Sequence, residues 1–249
     1  MRIVCISDTH SLHDLMKYEL PKGDILIHSG DISNKGGEKD ITNFIHWFQN
    51  LSGWDNKIFI SGNHDFCFEK VNQPHHKGEY DWLHNLMAPE NLSQSDVTYL
   101  EDNFITIETP EFSRPIKFYG SPWQPNFYDW AFNLPRMGEE MKSKWDMIPD
   151  DTDVLITHGP PQEIRDFVDN WRSPMNVGCE LLRHQVENRI KPLLHVFGHI
   201  HGAYGAAYVK DTLYVNASTC DERYEPINKP IVVDLVEIYG KINAIYVEE

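Results

Sequence analysis

The stretch IVCISDTH, residues 3–10, carries the strongest fold signal in the chain. Its first four residues are apolar and mostly β-branched, which is typical of a strand buried on both faces. Asp8 and His10 follow where this strand ends. Because they are two residues apart in extended chain, their side chains project the same way. The stretch therefore predicts a buried strand that delivers a carboxylate and an imidazole to one edge of a sheet.

The same arrangement recurs at four other predicted strands, which are residues 24–28, 57–60, 154–157 and 194–197. Each is followed by glycine and polar residues, namely GD at 30–31, GNHD at 62–65, HG at 158–159 and GHIH at 198–201. The carboxyl ends of parallel strands line the ligand crevice of an open α/β sheet. We therefore expect these polar groups to converge.

Apolar residues at helical spacing separate the strands. Ile41, Phe44 and Phe48 mark one amphipathic helix, and Leu182 and Ile190 belong to a second. Strand–helix–strand order predicts parallel pairing, whereas the closely spaced runs over 97–119 and 207–247 predict antiparallel hairpins. Without a linker or repeat, we predict one α/β domain over residues 1–249, a four-layer α-β-β-α sandwich of two mixed sheets.

The charge balance excludes several classes of function. The chain has 22 Lys plus Arg against 38 Asp plus Glu, a formal charge of −16. This is the wrong sign for binding long nucleic acids or an anionic membrane surface. No apolar run is long enough to span a bilayer, the 4 cysteines lie far apart, and we expect no secretory signal before the first strand. We expect a cytoplasmic protein with free thiols.

The 13 histidines are the unusual feature of the composition. Each motif alone is commonly structural, since Asp at a strand end is often a cap and Gly-Asp marks a turn. His28 and His195 lie inside predicted strands and are interpreted as core residues rather than partners of ligands. Nitrogen and oxygen donors at five strand ends together predict a dinuclear metal site. Such donors suit Mn²⁺, Fe, Zn²⁺ or Ni²⁺ and exclude thiolate-selective metals.

These motifs together resemble the calcineurin-like metallophosphoesterase superfamily. The stretches SPWQP (121–125), DWAFN (129–133), THGPP (157–161), VGC (177–179) and LHVFGHIH (194–201) resemble its metallophosphoesterase-domain-containing branch over nearly the whole chain. The resemblance implies two divalent ions, preferably Mn²⁺, that hold and activate a bridging water. It implies that Asp31 bridges the ions, that Asp8, His10 and His201 complete one site, and that Asn63, His158 and His199 complete the other.

The resemblance also implies the catalytic groups. His64 is expected to protonate the leaving-group oxygen, and Asp65 is expected to orient and charge the His64 imidazole. The implied activity is hydrolysis of small phosphodiesters, with 2′,3′-cyclic or 3′,5′-cyclic nucleotides as the leading class. No inserted cap domain is visible in the sequence, so we expect an open site.

Aromatic residues offer candidates for substrate binding. Trp123, Phe127 and Tyr128 either pack their loop onto the core or form a stacking wall beside the metals, and Tyr204 is a similar candidate. Two other functions stay open. A phosphomonoesterase or protein phosphatase would use the same metal pair, although no arginine that could clamp a dianion adjoins the motifs. A non-catalytic interaction module is the third interpretation.

Overall fold

A computed structural model describes residues 1–71, 73–92, 95–169 and 174–248. Its strands are β1 (Arg2–Ile6), β2 (Ile25–His28), β3 (Asn56–Phe59), β4 (Val97–Tyr99), β5 (Asn103–Ile107), β6 (Ile116–Ser121), β7 (Gln124–Pro125), β8 (Asn133–Leu134), β9 (Val154–Thr157), β10 (Phe167–Val168), β11 (Met175–Asn176), β12 (Leu194–Phe197), β13 (Gly205–Val209), β14 (Thr212–Asn216), β15 (Ile231–Ile238) and β16 (Lys241–Val247).

Two six-stranded sheets form the centre of the molecule. The first has the order β16-β15-β1-β2-β3-β4, and the second has the order β13-β14-β12-β9-β6-β5. Strands β1 to β4 pair in parallel, as do β6, β9, β12 and β14. Antiparallel strands β15, β16, β5 and β13 complete the edges. The predicted mixed sheets and edge hairpins are confirmed.

The helices are α1 (Glu38–Asn50), α2 (Phe66–Lys70), α3 (Asp81–Leu86), α4 (Pro89–Leu92), α5 (Glu139–Asp146) and α6 (Glu180–Gln185). Both helices predicted from the spacing are present. The second predicted helix is α-helical only as far as Gln185 and continues as a wider π-type turn over Val186–Ile190. Single-turn 3₁₀ helices occur at His13–Leu15, Pro74–His76 and His201–Ala203.

Alternating side chains divide the core into layers. Along β1, Ile3 and Cys5 face the second sheet, whereas Val4 and Ile6 pack on α1. On the other side, Trp145 of α5 and residues of α6 cover the outer face of the second sheet. The predicted four-layer α-β-β-α sandwich is therefore confirmed, while the single domain over 1–249 stays a prediction.

Several smaller expectations concern buried polar residues. His28 and His195 are fully buried and hydrogen-bond to the hydroxyls of Thr9 and Thr157, both at 2.9 Å, in keeping with their interpretation as core residues. The four cysteines are buried and free. Among the described residues, none of the helices has the length and apolar character needed to cross a bilayer.

Candidate metal centre

The carboxyl ends of β1, β2, β3, β9 and β12 meet at one edge of the sandwich and bring the predicted ligands together. Three groups of side chains each have ligand atoms within 4.8 Å of one another: Asp8, His10 and His201; Asp31, His158 and His199; and His10, Asp31 and His64. Asp31 thus contacts both halves of the cluster. The first two groups match the two implied metal sites, and Asp31 lies where a bridging carboxylate is expected.

The backbone at these positions is constrained. Asp8, His10, Asp31 and His199 all have left-handed φ angles, between 43° and 68°. Non-glycine residues rarely adopt this region, and such strain concentrates at functional sites. These residues lie two to four positions after the ends of β1, β2 and β12, where the chain leaves the sheet and turns toward the common centre.

Backbone groups fix both carboxylates. Asp8 accepts from the His199 N–H at 3.0 and 3.1 Å and from the Ser218 hydroxyl at 3.0 Å. Asp31 accepts from the His64 N–H at 2.8 Å. Glycine is needed for these approaches, because a Cβ atom on Gly62 would collide with Asp31 Oδ1 and one on Gly198 would collide with Asp8 Oδ2.

The tautomer of His158 follows from its partners. Its Nδ1 lies 3.0 Å from the Ser29 carbonyl oxygen, which can only accept, so the proton is on Nδ1. Nε2 then turns a lone pair toward two more acceptors, Asn63 Oδ1 at 2.9 Å and Asp31 Oδ1 at 3.4 Å. Three acceptors this close require a cation between them, either a proton or a metal ion.

His201 repeats this arrangement in the other half of the cluster. Its Nδ1 donates to the Asp221 carbonyl at 2.9 Å, and its Nε2 lies 3.4 Å from Asp8 Oδ1 and 3.2 Å from His10 Nε2. A backbone carbonyl that fixes a histidine in this way is the usual outer partner of a metal ligand. The donor set of nitrogen and oxygen atoms therefore fits divalent transition metals.

The electrostatics agree with cation binding. Burial raises the pKa of Asp8 and of Asp31, but the facing histidines outweigh it and hold both pKa values well below the ordinary range. Burial lowers the pKa of His158, yet the Asp31 charge raises it to about 9. Burial lowers the pKa of His10 to about 4, so His10 is neutral near pH 7. Ionised carboxylates and neutral imidazole are the forms that bind metal, and the proton that His158 holds near pH 7 is the cation that a metal ion would replace.

His64 points into the same centre. Its Nδ1 donates to the Asn34 carbonyl at 2.8 Å, so Nε2 faces inward, 3.9 Å from Asp31 Oδ2. The Trp130 indole stacks on the His64 ring with 4.1 Å between centroids and 25° between planes. A carbonyl and an indole therefore fix the orientation of this imidazole.

The expectation that Asp65 orients His64 is wrong. The Asp65 carboxylate is fully buried and accepts from the backbone N–H groups of Ile32, Ser33 and Gly62 at 3.2, 3.0 and 2.8 Å, and from the Ser33 hydroxyl at 2.7 Å. These four donors occupy both oxygens, so the carboxylate turns away from the imidazole. Asp65 clamps the loop after β2 to the loop after β3.

An open cavity of about 270 Å³ lies over the centre. Asp31, Asn63, His64, His199 and His201 contribute to its floor, and the walls include aromatic residues, namely Phe127, Trp130, Phe167 and Tyr224. Sequence reasoning missed Trp130, Phe167 and Tyr224. The aromatic run over 123–132 contained the signal for Trp130, but spacing could not tell which ring turns inward. No sequence signal marked Tyr224, whose ring lies 4.8 Å from that of His10 and 5.1 Å from that of His201.

The four aromatic candidates divide between the site and the rest of the molecule. Phe127 lines the cavity, and its neighbour Tyr128 packs against it but is largely exposed. Trp123 donates to Asp102 at 2.8 Å and packs on Phe132, so it belongs to the loop support. Tyr204 donates to the Lys229 carbonyl at 2.9 Å and lines a separate groove. Trp123 therefore follows the alternative in which its loop packs onto the core, and neither Trp123 nor Tyr204 is among the described residues that line the cavity.

Comparison with known proteins gives consistent results. Residues 1–203 match the family model described as calcineurin-like phosphoesterase. Metallophosphoesterase domain-containing protein 1 of Homo sapiens is 42% identical over 242 residues, covering 94% of this chain and 71% of its own length. A UPF0046 protein of Caenorhabditis elegans is 36% identical over 246 residues, covering 97% of this chain and 83% of its own.

One solved structure extends the comparison to the fold. The 5′-nucleotidase precursor from Thermus thermophilus superposes with a TM-score of 0.51 at 12% identity. The alignment covers 99% of this chain and 54% of that one, so this chain spans about half the length of the solved protein. At this level of identity the likeness concerns the fold alone.

Proposed function

Since the chain belongs to the calcineurin-like phosphoesterase family, a family of metal-dependent phosphohydrolases, we propose that it hydrolyses small phosphodiesters, with cyclic nucleotides as the leading class. The proposal assigns Asp8, His10 and His201 to one divalent ion, and Asn63, His158 and His199 to a second, with Asp31 shared. Mn²⁺ is the proposed activating ion.

The arrangement of acceptors at His158 is the observation that carries the proposal. Its Nε2 lies 2.9 Å from Asn63 Oδ1 and 3.4 Å from Asp31 Oδ1, so a cation, either a proton or a metal ion, must lie between these atoms, and His201 faces Asp8 in the same way. Two ions bound here would activate water and neutralise phosphoryl charge, which are the two requirements of phosphate ester hydrolysis.

The charge of the cavity supports a diester rather than a monoester. Among the described residues that line it, none is Lys or Arg, and Asp31 and Glu222 add negative charge. A dianionic monoester gains most from an arginine clamp, whereas a diester carries a single charge. The open cavity also leaves room for ester groups on both sides of the phosphorus.

His64 is the proposed proton donor to the leaving group. Because its Nδ1 donates to Asn34, only Nε2 faces the cavity and can transfer a proton there. The stacked Trp130 restricts rotation of the ring. A proton delivered from Nε2 would stabilise the departing alkoxide, a contribution of about 10²- to 10⁴-fold for a positioned general acid.

A paired-substrate assay tests the diester preference. The Mn²⁺-loaded full chain would be assayed with bis(p-nitrophenyl) phosphate and p-nitrophenyl phosphate, which share one leaving group, and then with 2′,3′- and 3′,5′-cyclic AMP. We expect turnover of the diester and of at least one cyclic nucleotide. Good turnover of the monoester with none of the diester would overturn the proposal in favour of a phosphomonoesterase.

Elemental analysis of the same preparation separates catalysis from a scaffold role. We expect two transition-metal ions per chain after loading and dialysis. A folded chain that retains no metal and cleaves no substrate would point to a non-catalytic interaction module. Asp31→Asn is the matched control for metal content, because it replaces one oxygen of the shared carboxylate by an amide nitrogen at nearly constant volume.

A further inference from the structure

A second cavity, of about 310 Å³, lies beside the metal centre and shares Phe127, Val168, His199 and Ile200 with the first. This volume is at the small end of the range for ligand pockets. We propose that it binds one organic group of the substrate ester, a flat heteroaromatic ring that carries an N–H donor. The proposal rests on the function proposed above and specifies its substrate class.

The walls of this cavity favour a flat apolar ring. They are formed largely by Pro125, Phe127, Pro160, Val168 and Met175, whose side chains offer apolar surface. Phe127 and His199 stand where the two cavities join, with 6.2 Å between their ring centroids. A ring in the second cavity would therefore remain attached to a phosphate in the first.

The one cationic residue among the described lining residues is already engaged. The Arg136 guanidinium donates to the carbonyls of Val177 and Gly178 at 2.7 and 2.5 Å and to the Glu180 carboxylate at 2.9 Å. Glu180 balances its charge, and the two carbonyl contacts hold the wall of the cavity in place. The cavity is therefore suited to a neutral group rather than to a second phosphate.

Gln124 supplies the polar contact. Its side chain is 1% exposed, and its Oε1 atom is buried without a hydrogen-bond partner among the described residues. The residue lines the cavity next to Gly159, where a Cβ atom would lie 3.9 Å from Oε1. A buried acceptor without a partner costs free energy. A ligand donor in the cavity would remove that cost.

The polarity of the Gln124 amide is fixed by its neighbours. Asn133 Nδ2 lies 3.1 Å from the Phe127 carbonyl and 2.8 Å from the Tyr128 carbonyl, and carbonyls only accept. Asn133 Oδ1 must then face Gln124, so Gln124 turns its Nε2 toward that oxygen at 3.3 Å. Oε1 is therefore the amide atom left without a partner among the described residues, behind the wall that Gln124 and Gly159 form. The ligand must therefore donate, and a ring with only acceptors is disfavoured.

Adenosine and purine riboside test this directly, because they differ only in the exocyclic amino group and neither has a phosphate to hydrolyse. Isothermal titration calorimetry on the Mn²⁺-loaded full chain should give about 10-fold tighter binding of adenosine, as expected for one buried hydrogen bond. Equal binding of the two nucleosides, or binding of neither, would overturn the proposal.

Gln124→Met is the decisive variant, since it keeps side-chain length but removes the Oε1 acceptor, together with the Nε2 donor that faces Asn133. We expect adenosine affinity to fall about 10-fold, to the level of purine riboside, whose own affinity stays the same. Equal weakening of both nucleosides would show a merely structural role and contradict the proposal.

Gly159→Ala provides a second variant if Gln124→Met fails to fold. Its Cβ would make ordinary contact with Gln124 Cβ at 3.4 Å and lie 3.9 Å from Oε1, in the space that a ligand donor would need. Adenosine binding should weaken without a change in melting temperature, and unchanged adenosine binding would contradict the assignment.

The proposed hydrolysis and the proposed ring binding in the second cavity can each be contradicted without the other. If the wild type cleaves phosphodiesters but binds both nucleosides equally, the cavity assignment is wrong and the proposed reaction stands. If it selects adenosine through Gln124 but cleaves no phosphodiester, the cavity assignment stands and the reaction is wrong.

Discussion

We predict that Asp65→Asn lowers the free energy of unfolding by about 2–6 kcal/mol. In the native chain, Asp65 Oδ1 accepts from both donors of Ser33, and Oδ2 accepts from the N–H groups of Ile32 and Gly62. Asparagine has one acceptor oxygen and can keep only one of these pairs. The –NH₂ group would then face two buried donors.

The magnitude follows from the groups left without a partner. If the amide nitrogen takes the Oδ2 position, two buried N–H groups lose their acceptor, and each costs about 1–3 kcal/mol. The total is a large share of the 5–15 kcal/mol, roughly, that stabilises an ordinary domain. The loss also loosens the loop that carries Asp31, so we expect weaker metal binding as a secondary effect.

Urea unfolding at pH 8 measures this effect. Asp129→Asn makes the same chemical change at an exposed position and should stay within about 0.5 kcal/mol of the wild type. His64→Ala should show the opposite pattern, a large loss of turnover with a small loss of stability. If Asp65→Asn left stability unchanged and reduced turnover as His64→Ala does, Asp65 would act on His64, as expected from sequence. The interpretation that Asp65 clamps the two loops together would then be wrong.

Three further predictions concern the metal centre. His64→Ala should retain both ions but lose about 10²- to 10⁴-fold in kcat, more for poor leaving groups. Turnover of substrates whose leaving groups differ in pKa checks this prediction. An equal loss of kcat on all of them would exclude a general-acid role for His64. Asp31→Asn should bind fewer than two Mn²⁺ per chain, and full occupancy would refute the bridge. Gly198→Ala should reduce Mn²⁺ occupancy, because its methyl group collides with Asp8; occupancy equal to the wild type would refute the close packing.

The fold and the cluster were predictable because their signals are local. A β-branched run followed by glycine and a polar residue specifies both a buried strand and the group at its end, so Asp8 and Asp31 could be placed without tertiary information. Parallel pairing then required the strand ends to meet. The direction of the strands alone therefore places the ligands at one edge, whatever path the loops follow.

The errors lie where side-chain direction depends on loop packing. Asp65 adjoins His64 in sequence, yet the turn at this point directs its carboxylate to Ser33 and Gly62. Trp123 and Trp130 stand in the same aromatic run, and only the fold of the loop places the indole of Trp130 on His64. Sequence spacing carries no information on such choices, because a loop lacks the fixed periodicity of a helix or strand.

The net charge of −16 and the proposed anionic substrate are compatible only through the bound cations. Asp31 and Glu222 line the cavity, Asp8 lies beneath it, and no Lys or Arg occurs among the described lining residues. The protein alone would therefore repel phosphate. Two divalent ions bound at this site would reverse the sign locally, and we propose that the acidic surface still repels long nucleic acids. Substrate binding and turnover should consequently depend on the same ions, and a singly charged diester is the phosphate ester that this limited positive charge suits best.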